Sequence, residues 1–524
     1  MPSLAHTLGG AALLFAVATN AAGHVDNKPI HLRSERSNLR KRVAQPSSVD
    51  SQTSTNLLAT ASLPPPRQDS IYASPDFKSE KTTQRINQLL QTNVQAATEA
   101  IKLGKNDPTV NVDAGMTKRA KPGPNWRWDF NGSTPIRGVN LGGWLVTEPW
   151  ITPSLFVNTG DETIVDEYTF CEKLGAKEAK KRLKAHWDSF YTEADIAEIA
   201  SYGLNHVRIP IGYWAFDQVS RPGEPYVSGQ YPYLLKAIGW ARKHGIKVMV
   251  DLHGAPQSQN GFDNSGRRGA AQWQTSQENV ERTLDVVGIL SKEFAKPKYA
   301  DTVTILQALN EPAGFISQQV IDVYRQFAYD SYGRVRYPTG NNPSDVYLSL
   351  HDAFQPLKTT AGVWEKSFPS PEFLGVSYSD HPYFVFNEAD LKKNDEQRVA
   401  TICGMKDYYA RANSFNPVLL DEFTAAITDC TNFLNGRGIG ARYDGTYPGS
   451  SYTGSCEGKT GKASTFSQEY KTSLAKSWSA QVETFESAAS GWAENSDDWT
   501  YSAGVKGGWI PKDPNKPIYP NICA

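Results

Sequence analysis

From Pro122 onward, short apolar runs alternate with amphipathic stretches. Seven runs have the length and β-branched content of buried strands: Ile136–Leu141, His206–Ile211, Val248–Leu252, Val303–Leu309, Val346–Leu350, Leu374–Tyr378 and Val418–Leu420. Between them, polar and apolar positions follow a helical period, as in Tyr233–His244 and in Glu193–Tyr202, which starts after Thr192, a good N-cap. Strand and helix in regular alternation predict a parallel sheet, and eight such units close a (β/α)8 barrel. The barrel is expected to fill residues 123–524. Its eighth strand is due near Gly491-Trp492, yet the polar stretch Glu494–Asp498 follows at once, so that strand reads as truncated. Losing it would leave two neighbouring strands with unpaired edges. A stretch such as Ala488–Glu494, drawn in as a short strand, would repair the gap.

The first 122 residues have a different composition. Residues 1–22 read as a signal peptide, with an apolar core at Ala11–Ala18 and small residues through Ala22-Gly23. That core is too short to cross a bilayer, and no other run is long enough. Residues 23–122 are rich in Ser, Thr, Gln, Asn and Pro, with one helix-like stretch at Thr82–Leu103. They read as a propeptide cleaved after Lys118-Arg119, or as a solvated linker. A net charge of −1 gives no reason to expect nucleic acid as a partner, and a monomer is expected. The chain has five cysteines, and in a secreted protein four of them pair. Asn131-Gly132-Ser133 is a glycosylation sequon. The nine histidines form no HExxH motif, and the glycines of Gly436–Gly440 do not sit between a strand and a helix, so neither metal nor nucleotide cofactor is expected.

Chemistry gathers at the strand ends. Asn310-Glu311-Pro312 closes the fourth run and Asp421-Glu422-Phe423 the seventh. Glu148 follows the first, Arg208 lies in the second, His253 follows the third, and His381 and Tyr383 follow the sixth. One such residue alone is more often structural, whereas the whole set reads as an active site at the barrel mouth. Two carboxylates there suit glycoside hydrolysis, one as acid and one as nucleophile or stabiliser. Thirteen tryptophans offer surfaces on which sugars stack, although most of them fill a core of this size.

Longer blocks resemble the fungal exo-β-1,3-glucanases of glycoside hydrolase family 5. They are Arg137–Leu145, Glu148–Phe156, Val207–Trp214, Asp251–Pro256, Ser258–Asp263 and Asn310–Pro312, and the likeness runs over roughly residues 124–524. The resemblance implies retaining release of glucose from the non-reducing end of β-1,3-glucan. It implies Glu311 as acid/base, Glu422 as nucleophile and Asn310 on the sugar 2-hydroxyl. Arg208 and Tyr383 would orient the nucleophile, and Glu148, His253 and His381 would bind the terminal glucose. Phe262 and Phe386 would clamp the sugar on the leaving-group side. It also implies the pairs Cys403–Cys523 and Cys430–Cys456, leaving Cys171 over.

Two departures stand out. Gly-Glu-Trp is usual around the family's nucleophile, whereas this chain has Asp421-Glu422-Phe423. Adjacent strand residues point to opposite faces, so Asp421 is expected to turn away from the site; otherwise it perturbs Glu422. The second departure is the short eighth strand, which lacks the Trp expected beneath the reacting sugar. That loss leaves a catalytically weak glucan-binding wall protein as an alternative, and a β-glucanase of different linkage preference is another, because the catalytic blocks do not encode linkage.

Overall fold

The computed structural model describes residues 126–524 apart from 131, 341–342, 358–363, 365–366, 370–372 and 495–499, with backbone only at 493–494. The signal-peptide and propeptide segments, and Asn131 of the sequon, lie outside the described residues. Eight strands form a closed barrel in sequence order: β1 (Ile136–Asn140), β2 (His206–Gly212), β3 (Lys247–Gly254), β4 (Val303–Gln307), β5 (Tyr347–His351), β6 (Val376–Ser379), β7 (Val418–Phe423) and β8 (Gly491–Glu494). Every pairing is parallel. All seven expected runs are strands, within a residue or two at most ends.

The eighth strand is short, but the barrel is not open. Gly491 pairs with Ile136 on one side and Leu419 on the other, so β8 covers both edges. Its entry requires glycine. Gly491 has φ +147°, and a Cβ there would stand 2.3 Å from the Ile136 carbonyl oxygen.

The surrounding helices include α1 (Glu167–Ser189, broken at Gly175), α2 (Glu193–Ser201), α3 (Tyr231–Lys243), α4 (Gln277–Phe294), α5 (Gln318–Arg336), α6 (Asp395–Cys403), α7 (Lys406–Asn413), α8 (Gln468–Ala488) and α9 (Tyr501–Gly507). Helix α4 shows why they form. Val280, Leu284, Val287 and Phe294 recur at three-, four- and seven-residue spacing and are all buried. Thr192 starts α2, its N–H and hydroxyl both donating to Asp195.

At the N-terminal end of the barrel, Ile136, Met249, Ile305, Tyr347 and Leu419 form a buried layer capped by Trp126, Trp128 and Phe130. Arg127 pins this cap by donating to the carbonyls of Phe294 and Val303 at 2.8 and 3.0 Å. That end is therefore packed shut, and polar side chains gather at the other. Cys403–Cys523 ties the end of α6 to the C-terminal segment, and Cys430–Cys456 braces the loop after β7. Cys171 is unpaired and buried on α1, where burial pushes its thiol up. No described helix is long and apolar enough to cross a membrane.

Candidate active site

The site begins with an irregularity in β7. Leu420 pairs with Trp492 and Phe423 with Glu494, so two residues of β7 oppose one of β8. Such a bulge breaks the alternation of side chains. Asp421 and Glu422 consequently both face the barrel interior, and both reach Arg208. The expectation that Asp421 turns away is thus overturned, and the bulge is the reason.

Arg208, fully buried on β2, is the hub. Its Nη1 donates to Glu422 Oε1 at 2.7 Å and Asn140 Oδ1 at 3.1 Å, and its Nη2 donates to Asn310 Oδ1 at 2.7 Å. Nη2 also lies 3.0 Å from Asp251 Oδ2, and Nε donates to Gln307 Oε1 at 2.9 Å. Tyr383 OH donates to the other oxygen of Glu422 at 2.9 Å. Burial alone would raise the Glu422 pKa, but the charges of His381, Arg208 and His253, with the Tyr383 bond, hold it down to about 2. A carboxylate held this way is ionised and oriented through both oxygens.

Glu311 follows β4 with φ +44°, a strained backbone for a residue bearing a Cβ. Its Oε1 lies 2.8 Å from His381 Nδ1, and its Oε2 accepts from Asn264 Nδ2 at 2.8 Å. Gln259 staples this turn to β3, its Nε2 donating to the carbonyls of His253 and Asn310 at 2.8 and 3.0 Å. Asn310 is buried, and among the described residues its Nδ2 has no hydrogen-bond partner. A buried donor with no partner suits a ligand acceptor.

His381 Nδ1 also lies 3.6 Å from Glu422 Oε2, which brings both glutamates to one imidazole. Its Nε2 lies 3.3 Å from Asp421 Oδ1. Burial opposes a charge on His381, but Glu422, Asp421 and Glu311 carry its pKa well above the ordinary value. Glu148 Oε2 accepts from Trp150 Nε1 at 3.0 Å. Burial pushes Glu148 up to about 7, with His253 pulling against it and Glu422 and Glu311 adding to it. His253 Nδ1 meets Asp251 Oδ2 at 2.6 Å, which directs its Nε2 away from that carboxylate. Phe262, in the loop after β3, stacks on Phe315 at 6.4 Å, while Phe386 packs against Tyr383 at 5.5 Å.

Trp492 takes no part. It is fully buried on the helix side of β8 against Phe423, Trp478 and Tyr501, with its Nε1 donating to Glu486 at 2.9 Å. A cavity of about 430 Å³ shares Gln257 and Arg267 of the loop after β3 but none of the residues above. Of its charged walls, Arg282 pairs with Glu224 and Arg221 with Glu278, while Arg267 donates to Gln257.

Glu311, His351 and His381 place three donor atoms within 4.8 Å of one another. The tautomers do not suit a cation. His351 Nδ1 accepts the Ala353 N–H at 3.0 Å, so its Nε2, the nitrogen left over, carries the proton. His381 meets carboxylates through both nitrogens.

All ten sequence-derived residues lie at this end of the barrel. Glu422, Arg208, Tyr383, Asn310, Glu311 and His381 form one connected network, with His253 joined through Asp251 and Glu148 beside them. Phe262 stacks on Phe315, and Phe386 packs against Tyr383 of the network. Sequence reasoning missed Asp251, Asn140, Gln307, Asn264 and Ser379, whose Oγ donates to Asp421 Oδ1. Asp251 had a signal, standing two residues before His253 on the same face of β3. Asn264 had none, because a loop conformation alone carries it to Glu311.

Residues 171–341 match the model for cellulase, glycosyl hydrolase family 5. Probable glucan 1,3-beta-glucosidase A of Aspergillus niger is 41% identical over 417 residues, 77% of this chain and 94% of that protein. Glucan 1,3-beta-glucosidase of Blumeria graminis is 41% identical over 409 residues, 76% of this chain and 91% of that protein. The crystal structure of rutinosidase from Aspergillus niger, only 18% identical, shares the fold with a TM-score of 0.55 over 73% of this chain and 98% of its own. With relatives this similar over three quarters of its length and a barrel that presents two glutamates at its mouth, the chain belongs to glycosyl hydrolase family 5.

Proposed function

We propose that the protein is a secreted, monomeric glucan 1,3-β-glucosidase that releases glucose from the non-reducing end of β-1,3-glucan with retention, in the metabolism of cell-wall glucan. The observation that carries the reading is the placement of both glutamates on His381 Nδ1, at 2.8 and 3.6 Å. Together these distances keep Glu311 Oε1 and Glu422 Oε2 no more than about 6.4 Å apart, below the roughly 6.5–9.5 Å of inverting pairs. A separation below that range favours the retaining arrangement, in which one carboxylate acts as the nucleophile.

Glu422, ionised, attacks the anomeric carbon as the bond to the leaving oxygen breaks. Glu311 gives its proton to that oxygen. Water then attacks the glycosyl ester, passing a proton to Glu311 and freeing Glu422. Asn310 Nδ2 donates to the 2-hydroxyl, while Glu148 and His253, with His381, bind the remaining hydroxyls of the terminal glucose. Phe262 and Phe386 hold the sugar on the leaving-group side. Arg208 and Tyr383 keep the nucleophile charged and aimed. The β-1,3 linkage is supported by the names of the relatives, and secretion by the two disulfides and the N-terminal apolar core.

Purified protein is incubated with laminarin and the products are resolved by chromatography. Glucose alone from the earliest times supports the reading, whereas oligosaccharides as first products overturn exo action. The helix-side position of Trp492 favours a second reading, a slow enzyme that retains glucan, because β8 then lends no ring to the sugar through that residue. Tight laminarin binding with turnover a thousandfold below that of a relative would support it.

A further inference from the structure

The family pattern places glycine before the nucleophile, and this chain places a carboxylate there. Asp421 is 2% exposed and lies on the bulged part of β7. Its Oδ1 accepts from Ser379 Oγ and lies 3.3 Å from His381 Nε2, and its Oδ2 lies 3.5 Å from Arg208 Nε. Across the ring, His381 Nδ1 faces Glu311 and Glu422. A neutral imidazole carries one N–H, so a ring with a carboxylate at each nitrogen needs two protons to satisfy both.

We propose that Asp421 is a positioning residue for the glycosidase reaction, holding His381 doubly protonated so that its Nδ1–H stays between Glu311 and Glu422. The proposal rests on the reading of those two glutamates as the catalytic pair. During glycosylation, negative charge leaves Glu422 as it bonds to the anomeric carbon. Negative charge appears on Glu311 as its proton passes to the leaving oxygen. The charge thus moves from one side of His381 Nδ1–H to the other. A fixed imidazolium meets it at both ends with little rearrangement, as a preorganised cation should.

The other groups around the ring are compatible. From β2, Arg208 is paired with Glu422 and Asp251. At the end of β5, His351 stays neutral, since burial holds its pKa down and its Nδ1 accepts a backbone N–H. Asp352, next to it, is pushed well up by burial and by Asp380, which itself accepts from Tyr409 OH. Asp421 is the carboxylate that faces Nε2.

The test is Asp421→Asn, which removes the charge and keeps an acceptor for Ser379 and for Nε2–H. Histidine-ring isotope labelling, with the His381 resonance assigned by its loss in His381→Asn, reads the protonation state directly. In the wild type the ring is expected to stay charged well above the ordinary histidine range, and in Asp421→Asn to titrate at least about one unit lower. The alkaline limb of kcat should move toward acid by the same amount, with KM changed less than about threefold. A His381 titration that superimposes on the wild type overturns the proposal, as does a kcat loss equal at every pH. Should Asp421→Asn not fold, Asp421→Gly carries the residue usual in the family and is read the same way. Failure of the wild type to hydrolyse glucan would sink the functional reading alone, because the ring titration needs no turnover.

Discussion

Replacing Trp492 by Ala separates a floor for the sugar from a filler of the core. The side chain is fully buried and packs against Phe423 at 5.7 Å, Trp478 at 6.1 Å and Tyr501 at 6.3 Å. Truncating such a side chain costs about 3–5 kcal/mol, through lost transfer energy and the cavity left behind. The indole also donates to Glu486, but Arg137 still pairs with that carboxylate at 2.7 Å, so the loss of this bond adds little. At about 2.1 cal/mol/K per residue, a barrel of roughly 400 residues has an unfolding entropy near 0.8 kcal/mol/K. The expected fall in Tm is therefore about 4–6 °C. Calorimetry gives that shift, and laminarin hydrolysis well below Tm, corrected for folded protein, gives kcat and KM. Turnover per folded molecule should stay within about threefold of wild type. A hundredfold loss of kcat/KM with an unchanged Tm would refute the placement and make Trp492 a sugar contact.

Three further outcomes follow from the same geometry. Glu311→Gln should cripple hydrolysis of glucan while sparing the first step on activated aryl glycosides, whose leaving groups need no proton; equal loss on both substrates contradicts the acid assignment. Tyr383→Phe removes a hydrogen bond to ionised Glu422, a contact of about 1.5–3 kcal/mol, so the Glu422 pKa rises. Activity needs the ionised form, and the acidic limb of kcat/KM should move toward neutral by about one to two pH units; an unmoved limb means Tyr383 does not hold the nucleophile. Opening the disulfides by paired Cys→Ser changes should lower stability, by the chain-entropy relation about 3.5 kcal/mol for the 26-residue Cys430–Cys456 separation and about 5 kcal/mol for the 120-residue Cys403–Cys523 separation. Denaturant titration would show it, and an unchanged midpoint would mean that the ordered native loops, and not the bridges, set the stability.

Strand periodicity carried most of the barrel, because parallel strands buried on both faces leave continuous apolar runs that charged helix faces interrupt. It also pointed to the two glutamates of the candidate site, since Glu311 and Glu422 each stand two residues past the end of such a run. The orientation of Asp421 was not legible. Alternation is the only rule available from sequence, and the bulge opposite Ala493 breaks it. The closure by β8 was legible only as one option, the short strand that Ala488–Glu494 could supply. Four residues are too few for a periodic signal, and what licenses the strand is the φ of Gly491 against Ile136. Asn264 reaches Glu311 through loop geometry, which no spacing encodes. His381 was legible as a site residue, but its three carboxylate neighbours come from two different strand ends and meet only in the closed barrel.

Glu422, the proposed nucleophile, is expected to form a bond to the sugar. A 2-deoxy-2-fluoro-β-glucosyl fluoride slows the second step more than the first, so a covalent intermediate accumulates. After incubation, proteolysis and mass spectrometry locate the label. One fluoroglucosyl group is expected on the peptide containing Glu422, absent in Glu422→Gln. A label on another residue would contradict it, as would the release of α-glucose from the unmodified substrate with no label on the protein.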